Sequence, residues 1–170
     1  NCTITACSAS HSLIYSTYSS SNSSNSSTVS NCTITACSAG NSLIYSSSSC
    51  STVSNCAITA CSAGSCLIYS SSNSYHYLST VSNCTVNACL SINTLVDFGN
   101  SDDREIEETT FNTCAVVNGF QANGKTLDAA QWKQRYFENT MGWDFDNIWV
   151  WNDAKNRPEL QYVGANATKP

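Results

Sequence analysis

A ten-residue block recurs in the first half of the sequence and restricts the folds open to this chain. The block reads Asn-Cys-Thr-Ile-Thr-Ala-Cys-Ser-Ala-Gly from Asn31, and close copies begin at Asn1, Asn55 and Asn83. The copies are spaced by 30, 24 and 28 residues. Repeats of this period stack as supersecondary units, because one unit cannot bury its own apolar face. The sequence therefore predicts an array of stacked coils.

Each copy alternates apolar and polar residues, as a strand with one buried face does. In the second copy, Cys32, Ile34 and Ala36 share one face, which we expect to point inward. Two more β-like runs, at 42–45 and 52–54, complete the repeat, and small residues separate the three runs. The sequence predicts a mostly β fold, a parallel β-helix (β-solenoid) with three short strands per coil.

Charge divides the chain into two parts. All seven Lys and Arg and all twelve Asp and Glu lie at or after Asp97. We predict solenoid coils over 1–96, starting near positions 1, 31, 55 and 83, and one or more final rungs with a C-terminal α/β cap over 97–170. The net charge of −5 argues against a nucleic-acid partner. Apolar runs fall short of the ~20 residues that cross a bilayer, so we expect no membrane insertion.

Cysteines recur at two positions of the repeat and should form two ladders along the stack. Rungs lie ~4.8 Å apart, so the sequence leaves buried free thiols and locally adjusted inter-rung disulfides as alternatives. We expect no metal. The ladders are Cys2, Cys32, Cys56 and Cys84, then Cys7, Cys37, Cys61 and Cys89; Cys50 and Cys66 break the pattern and are candidates for an extra bridge or exposed thiols.

Threonines alternate with the inward residues and should form a two-column outer ladder. Strand geometry sets ~7 Å between the columns and ~4.8 Å between the rungs. These spacings resemble the flat Thr-x-Thr faces of β-solenoid ice-binding proteins, although threonine is also simply favoured on exposed strands. The candidate ice-binding face comprises Thr3, Thr5, Thr33, Thr35, Thr59 and Thr85.

Length differences between the copies are confined to one corner of the coil, at 16–26, 46–50 and 70–78. Loops of different length should therefore project from one edge of the stack. Loops on a rigid scaffold often carry function, and a glycan or cell-surface ligand is one hypothesis; solvated spacers are the other. The candidate contact residues are Tyr18, Tyr75, His76 and Tyr77.

Six asparagines lie in Asn-x-Ser/Thr sequons, which are glycosylated only in a eukaryotic secretory pathway. They are Asn1, Asn22, Asn25, Asn31, Asn83 and Asn166. For Asn31 and its equivalents, the sequence favours a second role, in which the asparagine turns a corner of the coil.

The C-terminal part contains all four tryptophans and one predicted helix over 127–137, with Asp128 as its N-cap. A further strand is expected near 110–119, and the acidic run 102–108 is interpreted as a solvated loop in preference to a Ca²⁺ site. A solenoid end exposes unpaired strands, so an aromatic cap is expected. Its candidate residues are Trp132, Trp143, Phe145, Trp149 and Trp151.

Two cap motifs resemble the closing segment of bacterial surface proteins built from GLUG repeats. They are Gly-Trp-Asp-Phe-Asp-Asn-Ile-Trp from Gly142 and Arg-Pro-Glu-Leu from Arg157. The runs at 42–45 and 52–56 also resemble the strands of that repeat, although its Gly-Leu-Val-Gly is replaced here by Ser-Leu-Ile-Tyr. The resemblance implies a right-handed parallel β-helix from a secreted or surface-anchored protein, often an adhesin or an accessory region of an extracellular enzyme.

Catalysis is not expected. Polysaccharide cleavage needs paired carboxylates or a cationic base on an exposed face, and the repeat region contains none. Asp144 and Asp146 are interpreted as hydrogen-bonding groups of the cap, and His11 and His76 lie near no nucleophile motif. We expect neither an enzyme nor a cofactor.

The sequence thus favours an extracellular structural or adhesive β-solenoid, a segment or subunit of a larger surface protein or fibre. Ice binding and carbohydrate binding are the alternatives. Because the first coil should present an open edge, an upstream part of the same protein or another subunit is the expected partner there.

Overall fold

The computed structural model describes residues 1–17, 26–48, 50–72, 79–99, 104–119, 121–122 and 125–161. These residues form a parallel β-solenoid with a small cap at its C-terminal end, as the sequence predicts. Four coils and part of a fifth stack along one axis.

The strands are given coil by coil. Coil 1 contains β1 (Cys2–Thr5), β2 (Ser8–Ala9), β3 (Ile14–Thr17) and β4 (Ser26–Ser30). Coil 2 contains β5 (Cys32–Thr35), β6 (Ser38–Ala39), β7 (Ser42–Ser48) and β8 (Cys50–Ser54). Coil 3 contains β9 (Ala57–Thr59), β10 (Ser62–Ala63), β11 (Cys66–Ser72) and β12 (Ser79–Ser82). Coil 4 contains β13 (Thr85–Asn87), β14 (Leu90–Ser91), β15 (Thr94–Asp97) and β16 (Arg104–Glu107), and the partial coil 5 contains β17 (Thr110–Asn112) and β18 (Ala115–Val116).

Equivalent strands of successive coils pair in parallel and build four sheets. Sheet A is β1-β5-β9-β13-β17, sheet C is β3-β7-β11-β15, and sheet D is β4-β8-β12-β16. Sheet B is β2-β6-β10-β14-β18, extended by the antiparallel strands β19 (Gln121–Ala122) and β20 (Lys125–Thr126). Pairing joins equivalent repeat positions, for example Ile4 with Ile34 and Ile34 with Ile58.

The coil has four strands where the sequence predicted three. The extra strand is the Ser-Ala pair in coils 1 to 3 and Leu90–Ser91 in coil 4, which belong to the stretch that the sequence analysis placed between two runs. It pairs because the amide of Ser38 donates to the carbonyl of Cys7 and the amide of Gly40 to that of Ala9, both at 2.9 Å. Two residues are too few to show an alternating pattern, so the sequence could not reveal this strand.

Two corners of each coil use residues with positive φ. Between sheets D and A the corner residue is asparagine, as at Asn31 (φ 55°) and Asn83 (φ 50°). Between sheets A and B it is alanine in coils 1 to 4, as at Ala36 (φ 53°). Asparagine tolerates this left-handed conformation better than most residues. The amide of Ala36 donates to the carbonyl of Thr59 of the next coil at 3.0 Å, so the corner also carries inter-coil hydrogen bonds.

The apolar core lies inside the coils and follows the predicted alternation at Cys32 and Ile34; the prediction is wrong for Ala36, which is half-buried at a corner. Ile34, Ile58, Val86, Leu43 and Leu67 are fully buried. Burial of one such side chain contributes about 1.5–3 kcal/mol, so the repeated column supplies much of the stability of the stack.

Serine replaces apolar residues where sheets C and D meet. Ser27 Oγ lies 3.0 Å from Ser46 Oγ, Ser51 Oγ donates to Ser46 Oγ at 2.8 Å, and Ser70 Oγ donates to Ser51 Oγ at 3.2 Å. All four serines are buried. The sequence analysis assigned 46–50 to a variable loop, but β7 extends to Ser48, so part of that segment is strand. Hydroxyls that satisfy one another can be buried at little cost.

The cap follows β20 and contains α1 (Gln134–Asn139), β21 (Trp149–Asn152) and β22 (Arg157–Leu160). The predicted helix over 127–137 is wrong in extent. Asp128 accepts a hydrogen bond from the amide of Gln131 at 2.8 Å, but this bond stabilises only a single turn. Lys133 has an extended backbone, and α1 begins after Lys133. At 3.6 residues per turn, Trp132 and Phe137 would lie about 140° apart on a straight helix. The break lets both side chains enter the cap core.

Candidate functional surfaces

The outer face of sheet A carries the two threonine columns that the sequence predicted. Strand register aligns Thr3 with Thr33 and Thr5 with Thr35, and Thr35 with Thr59. Across five strands, the first column is Thr3, Thr33, Ala57, Thr85 and Thr110, and the second is Thr5, Thr35, Thr59, Asn87 and Asn112. At ~4.8 Å per rung the face is about 19 Å long.

Sequence analysis missed the fifth rung of this face. Thr110 and Asn112 continue both columns, but the block around them has lost the repeat pattern, because Phe111 stands where earlier coils have Ile or Val. The outward residues of these five strands are all Thr, Asn or Ala, so the face offers hydroxyl and amide groups and no charge.

A stack of tyrosines runs along the outside of sheet C, and sequence analysis did not identify it. The rings of Tyr15 and Tyr45 lie 4.8 Å apart and those of Tyr45 and Tyr69 lie 4.5 Å apart, nearly parallel. Burial and the flanking phenols raise the pKa of Tyr45. The signal was present as the threefold Leu-Ile-Tyr, whose period places the rings on successive rungs.

The tyrosine stack is covered at one end and exposed at the other. At the C-terminal end, Asp97 takes the tyrosine position, and a Cβ on Gly99 would lie 2.5 Å from the Tyr69 hydroxyl. At the other end of the stack, Tyr15 is 66% exposed.

Both cysteine ladders lie inside the solenoid from coil 2 onward, whereas Cys2 and Cys7 of coil 1 are exposed. All eleven cysteines lie in the described part of the chain, and all are free thiols. In the second ladder, the amide of Cys37 donates to Cys61 Sγ at 3.4 Å, while Cys61 Sγ donates to the carbonyl of Thr59 at 3.1 Å. Burial raises the pKa of Cys89 well above its ordinary value, which keeps that thiol protonated.

The ends of the two ladders differ from the sequence prediction. Cys114 extends the second ladder. The amide of Ala115 donates to the carbonyl of Cys89, just as the amide of Leu90 donates to the carbonyl of Cys61 one coil earlier. In the first ladder, Thr109 occupies the position after Cys84 in place of a cysteine. The amide of Cys84 donates to Thr109 Oγ1 at 3.3 Å.

The two cysteines outside the ladders have different environments. Cys66 is buried, with its sulfur 3.2 Å from Ser42 Oγ, so the prediction of an exposed or bridging thiol is wrong for it. Cys50 begins β8 and is half-buried.

Several predicted site residues lie outside the described residues. They are the loop residues Tyr18, Tyr75, His76 and Tyr77 and the sequon residues Asn22, Asn25 and Asn166. Of the remaining sequon residues, Asn1, Asn31 and Asn83 are exposed, and the last two occupy the corner between sheets D and A.

The aromatic cap packs against the outer side of sheet B. Trp132, Trp143 and Trp149 are buried, Phe145 and Trp151 are half-buried against them, and all belong to one cluster with Leu90 and Ala115 of the solenoid. Trp143 Nε1 donates to the carbonyl of Thr113 at 2.7 Å, and its ring stacks on Trp149 at 4.3 Å.

Asp144 acts on the local backbone of the cap. Its carboxylate accepts hydrogen bonds from the amides of Asp146 and Asn147 at 3.0 and 2.9 Å. Hydrogen bonds from the side chain and amide of Asn147 hold the pKa of this carboxyl below its ordinary value. This arrangement fixes the turn before β21.

An open groove separates the cap hairpin from the outer face of sheet B. It has a volume of about 370 Å³, with a floor of small residues that includes Ser38 and Ser62. On the hairpin side, Lys155 and Arg157 both pair with Glu159, at 2.7 and 3.5 Å. The charged groups that line the groove are thus two cations and one carboxylate, with a net charge of +1.

The described residues contain no group of three or more His, Cys, Asp or Glu placed to hold a metal ion. Their helix is too short to span a membrane.

The sequence matches no protein-family model, and comparisons with curated proteins and with solved structures also gave no match. The resemblance of the cap motifs to GLUG-repeat proteins therefore stays a prediction.

Proposed function

We propose that this protein is a non-catalytic structural and adhesive β-solenoid of an extracellular surface protein or fibre, and that it forms the capped end of the array. The observation that carries the proposal is the in-register stacking of equivalent strands over successive coils. At the C-terminal side β19 pairs with β18, and the aromatic cluster of the cap covers Leu90 and Ala115.

The chemistry of the solenoid fits a structural role. Its first 96 residues are neutral, its core is repeated in register over successive coils, and the outward groups on sheet A are hydroxyls and amides. Such an array is rigid because each coil is held by both neighbours. The resemblance of the cap motifs to the closing segment of GLUG-repeat surface proteins supports an extracellular or cell-surface location.

Adhesion is assigned to the loop edge of the stack. Tyr18, Tyr75, His76 and Tyr77 provide aromatic groups suited to a glycan or another cell-surface ligand, since tyrosine combines an apolar ring with a hydroxyl. Carbohydrate binding is thus part of the proposal.

Deletion of residues 142–162 tests the capping role. We expect the soluble monomer to become an aggregate, because Leu90, Trp132 and Phe137 lose the aromatic residues that cover them. Size-exclusion chromatography with light scattering measures the change. The control is Val150→Ser, which alters an exposed residue of the same hairpin and should stay monomeric. A deletion variant that remained folded and monomeric would remove the capping role.

Ice binding is a second candidate function, and the register of sheet A favours it. The two columns continue over five rungs at the regular spacing of parallel strands, with seven threonines among ten positions. Ala57, Asn87 and Asn112 are the departures.

Thermal hysteresis tests this second function. If sheet A binds ice, millimolar protein should separate the freezing and melting temperatures, and Thr33→Tyr should abolish most of the gap by placing a bulky ring between the columns. Ser8→Tyr, on the exposed face of sheet B in coil 1, should leave the gap unchanged. Coincident freezing and melting of the unmodified protein would exclude ice binding.

A further inference from the structure

The stacked tyrosines on sheet C carry hydroxyl groups that stacking itself does not require. The rings of Tyr45 and Tyr69 lie 4.5 Å apart with their planes 6° from parallel, and those of Tyr15 and Tyr45 lie 4.8 Å apart at 13°. Phenylalanine rings would stack in the same way. The hydroxyl makes each ring a phenol, which one-electron oxidants convert to a radical.

Strand register fixes the separation of the closest pair, Tyr45 and Tyr69. The two residues are partners in the parallel pairing of β7 and β11, directly after the partners Ile44 and Ile68. Both isoleucines are fully buried, whereas both tyrosines are half-buried on the outer face. The core therefore holds the backbones of the two tyrosines in place, and their rings remain within reach of small molecules.

A turn after β15 positions the ring of Tyr69. A Cβ on Gly99 would lie 2.5 Å from the Tyr69 hydroxyl and 3.2 Å from its Cζ, so the backbone of this turn packs closely against the phenol. The amide of Gly99 donates to Asp97 Oδ1 at 2.8 Å, which fixes the turn. Because Asp97 is the register partner of Tyr69 in the next coil, the stacked phenol beside Tyr69 is that of Tyr45.

The remaining tyrosine of the described residues has a different neighbour. Tyr136 of the cap contacts Phe137, with the ring centroids 6.1 Å apart and nearly perpendicular. Phenylalanine has no hydroxyl and forms no phenoxyl radical. Tyr18, Tyr75, Tyr77 and Tyr162 lie outside the described residues.

We propose that Tyr45 and Tyr69 form a site of oxidative phenol coupling, at which hydrogen peroxide and a haem peroxidase join them into a dityrosine that links coils 2 and 3. The fold supplies what this reaction needs, since two phenols held face to face react as one molecule instead of having to meet by diffusion. Burial and the flanking phenols raise the pKa of Tyr45, so this phenol is protonated at neutral pH and loses its proton on oxidation.

The coupling consumes one hydrogen peroxide for each cross-link. Each phenol gives up one electron and one proton and becomes a phenoxyl radical, whose unpaired electron lies partly on the ring carbons ortho to the oxygen. A carbon–carbon bond forms between one ortho carbon of each ring. The hydrogen on each of these carbons moves to the phenolic oxygen and restores both hydroxyls. The two electrons and two protons break the O–O bond of the peroxide and give two water molecules.

The new bond would act as a covalent staple between neighbouring coils. Residues 45 and 69 are 24 positions apart, so the bond closes a loop of one coil. All eleven cysteines are free thiols, so the described coils are otherwise joined by the main chain and by noncovalent contacts. A cross-link that closes such a loop restricts the unfolded chain and thereby stabilises the folded one, as a disulfide does.

Oxidation of the full chain tests the proposal. Exposed thiols are first blocked with iodoacetamide, and the protein is then treated with hydrogen peroxide and a haem peroxidase. Peptic digestion and mass spectrometry identify linked peptides, whose combined mass is lower by two hydrogen atoms. We expect the link between Tyr45 and Tyr69 to be the main product, with a yield per chain that does not change over a tenfold range of protein concentration. The linked protein should also unfold at a higher urea concentration.

Two phenylalanine variants provide the matched comparison. Tyr69→Phe keeps the ring and removes the phenol, so it should abolish the link between coils 2 and 3. Tyr15→Phe makes the same change on the other side of Tyr45 and should leave that link at its original yield. Circular dichroism checks that both variants are folded.

A folded chain that yields no link between Tyr45 and Tyr69 would overturn the proposal, whichever other tyrosines are oxidised. So would a main product between Tyr15 and Tyr45, or one between two chains whose yield rises with protein concentration. The coupling depends on sheet C alone and not on the cap, on adhesion or on ice binding, so its failure would leave the proposed function untouched.

Discussion

Val86→Asp should unfold the protein, whereas Thr85→Asp, one residue earlier in the same strand, should leave it folded. Val86 is fully buried between Ile58 and Phe111 of the neighbouring strands, and Thr85 is exposed on the outer face of sheet A. An unpaired carboxylate inside the core costs several kcal/mol. That cost is comparable to the 5–15 kcal/mol that typically stabilises a domain.

Circular dichroism with urea denaturation measures the contrast. Val86→Asp should lack a cooperative transition, and Thr85→Asp should shift the free energy of unfolding by less than about 1 kcal/mol, as exposed substitutions usually do. Val86→Ala is the control for lost packing, and it should remain folded at lower stability. Equal stability of the two aspartate variants would contradict the assignment of inner and outer faces.

The repeat made the solenoid predictable because two signals agreed. Alternation separated Ile34 from Thr33 and Thr35, and recurrence of the block showed which residues would lie above one another. The structure confirms both, with Ile34 buried and Thr33 exposed in paired strands. Neither signal depends on tertiary contacts, so both can be recognised in the sequence alone.

Elements without a recurring apolar pattern were missed. Serine is usually a turn or loop residue, so its runs did not indicate that β7 extends to Ser48. Burial there depends on hydrogen bonds between serine hydroxyls of sheets C and D inside the coil. The strand predicted near 110–119 is present as β17 and β18, but its place in the ladders was not recognised, because Thr109 replaces the first cysteine and Phe111 replaces isoleucine.

The cap illustrates how packing can override a local pattern. Asp128 and Gln131 form the reciprocal hydrogen bonds expected at a helix start. The helix nevertheless begins only at Gln134, because Trp132 and Phe137 both enter the aromatic cluster, with their rings 5.0 Å apart. Sequence identified the aromatic residues of the cap but could not place them against sheet B.

Native thiol labelling should divide the cysteines by their place in the stack. Cys2 and Cys7 lie at the open end and should react with iodoacetamide at the rate of exposed thiols, and half-buried Cys50 should react more slowly. The other eight are buried and should react only through opening of the fold: Cys32, Cys37, Cys56, Cys61, Cys66, Cys84, Cys89 and Cys114.

The expected protection is large. If reaction of a core thiol requires unfolding that costs at least ~5 kcal/mol, labelling slows by more than about a thousandfold. Burial also raises the pKa of Cys66 and Cys89, which lowers the fraction of reactive thiolate. Labelling in urea provides the control, because all eleven sites should then react alike.

The rate ratio between Cys89 and Cys7 in the folded protein is the most direct test of the stacked coils. The two residues occupy the same repeat position and the same ladder, three coils apart. We expect Cys89 to be protected relative to Cys7 by more than about a thousandfold under native conditions. Equal rates in a protein that is otherwise folded would contradict the stacked solenoid.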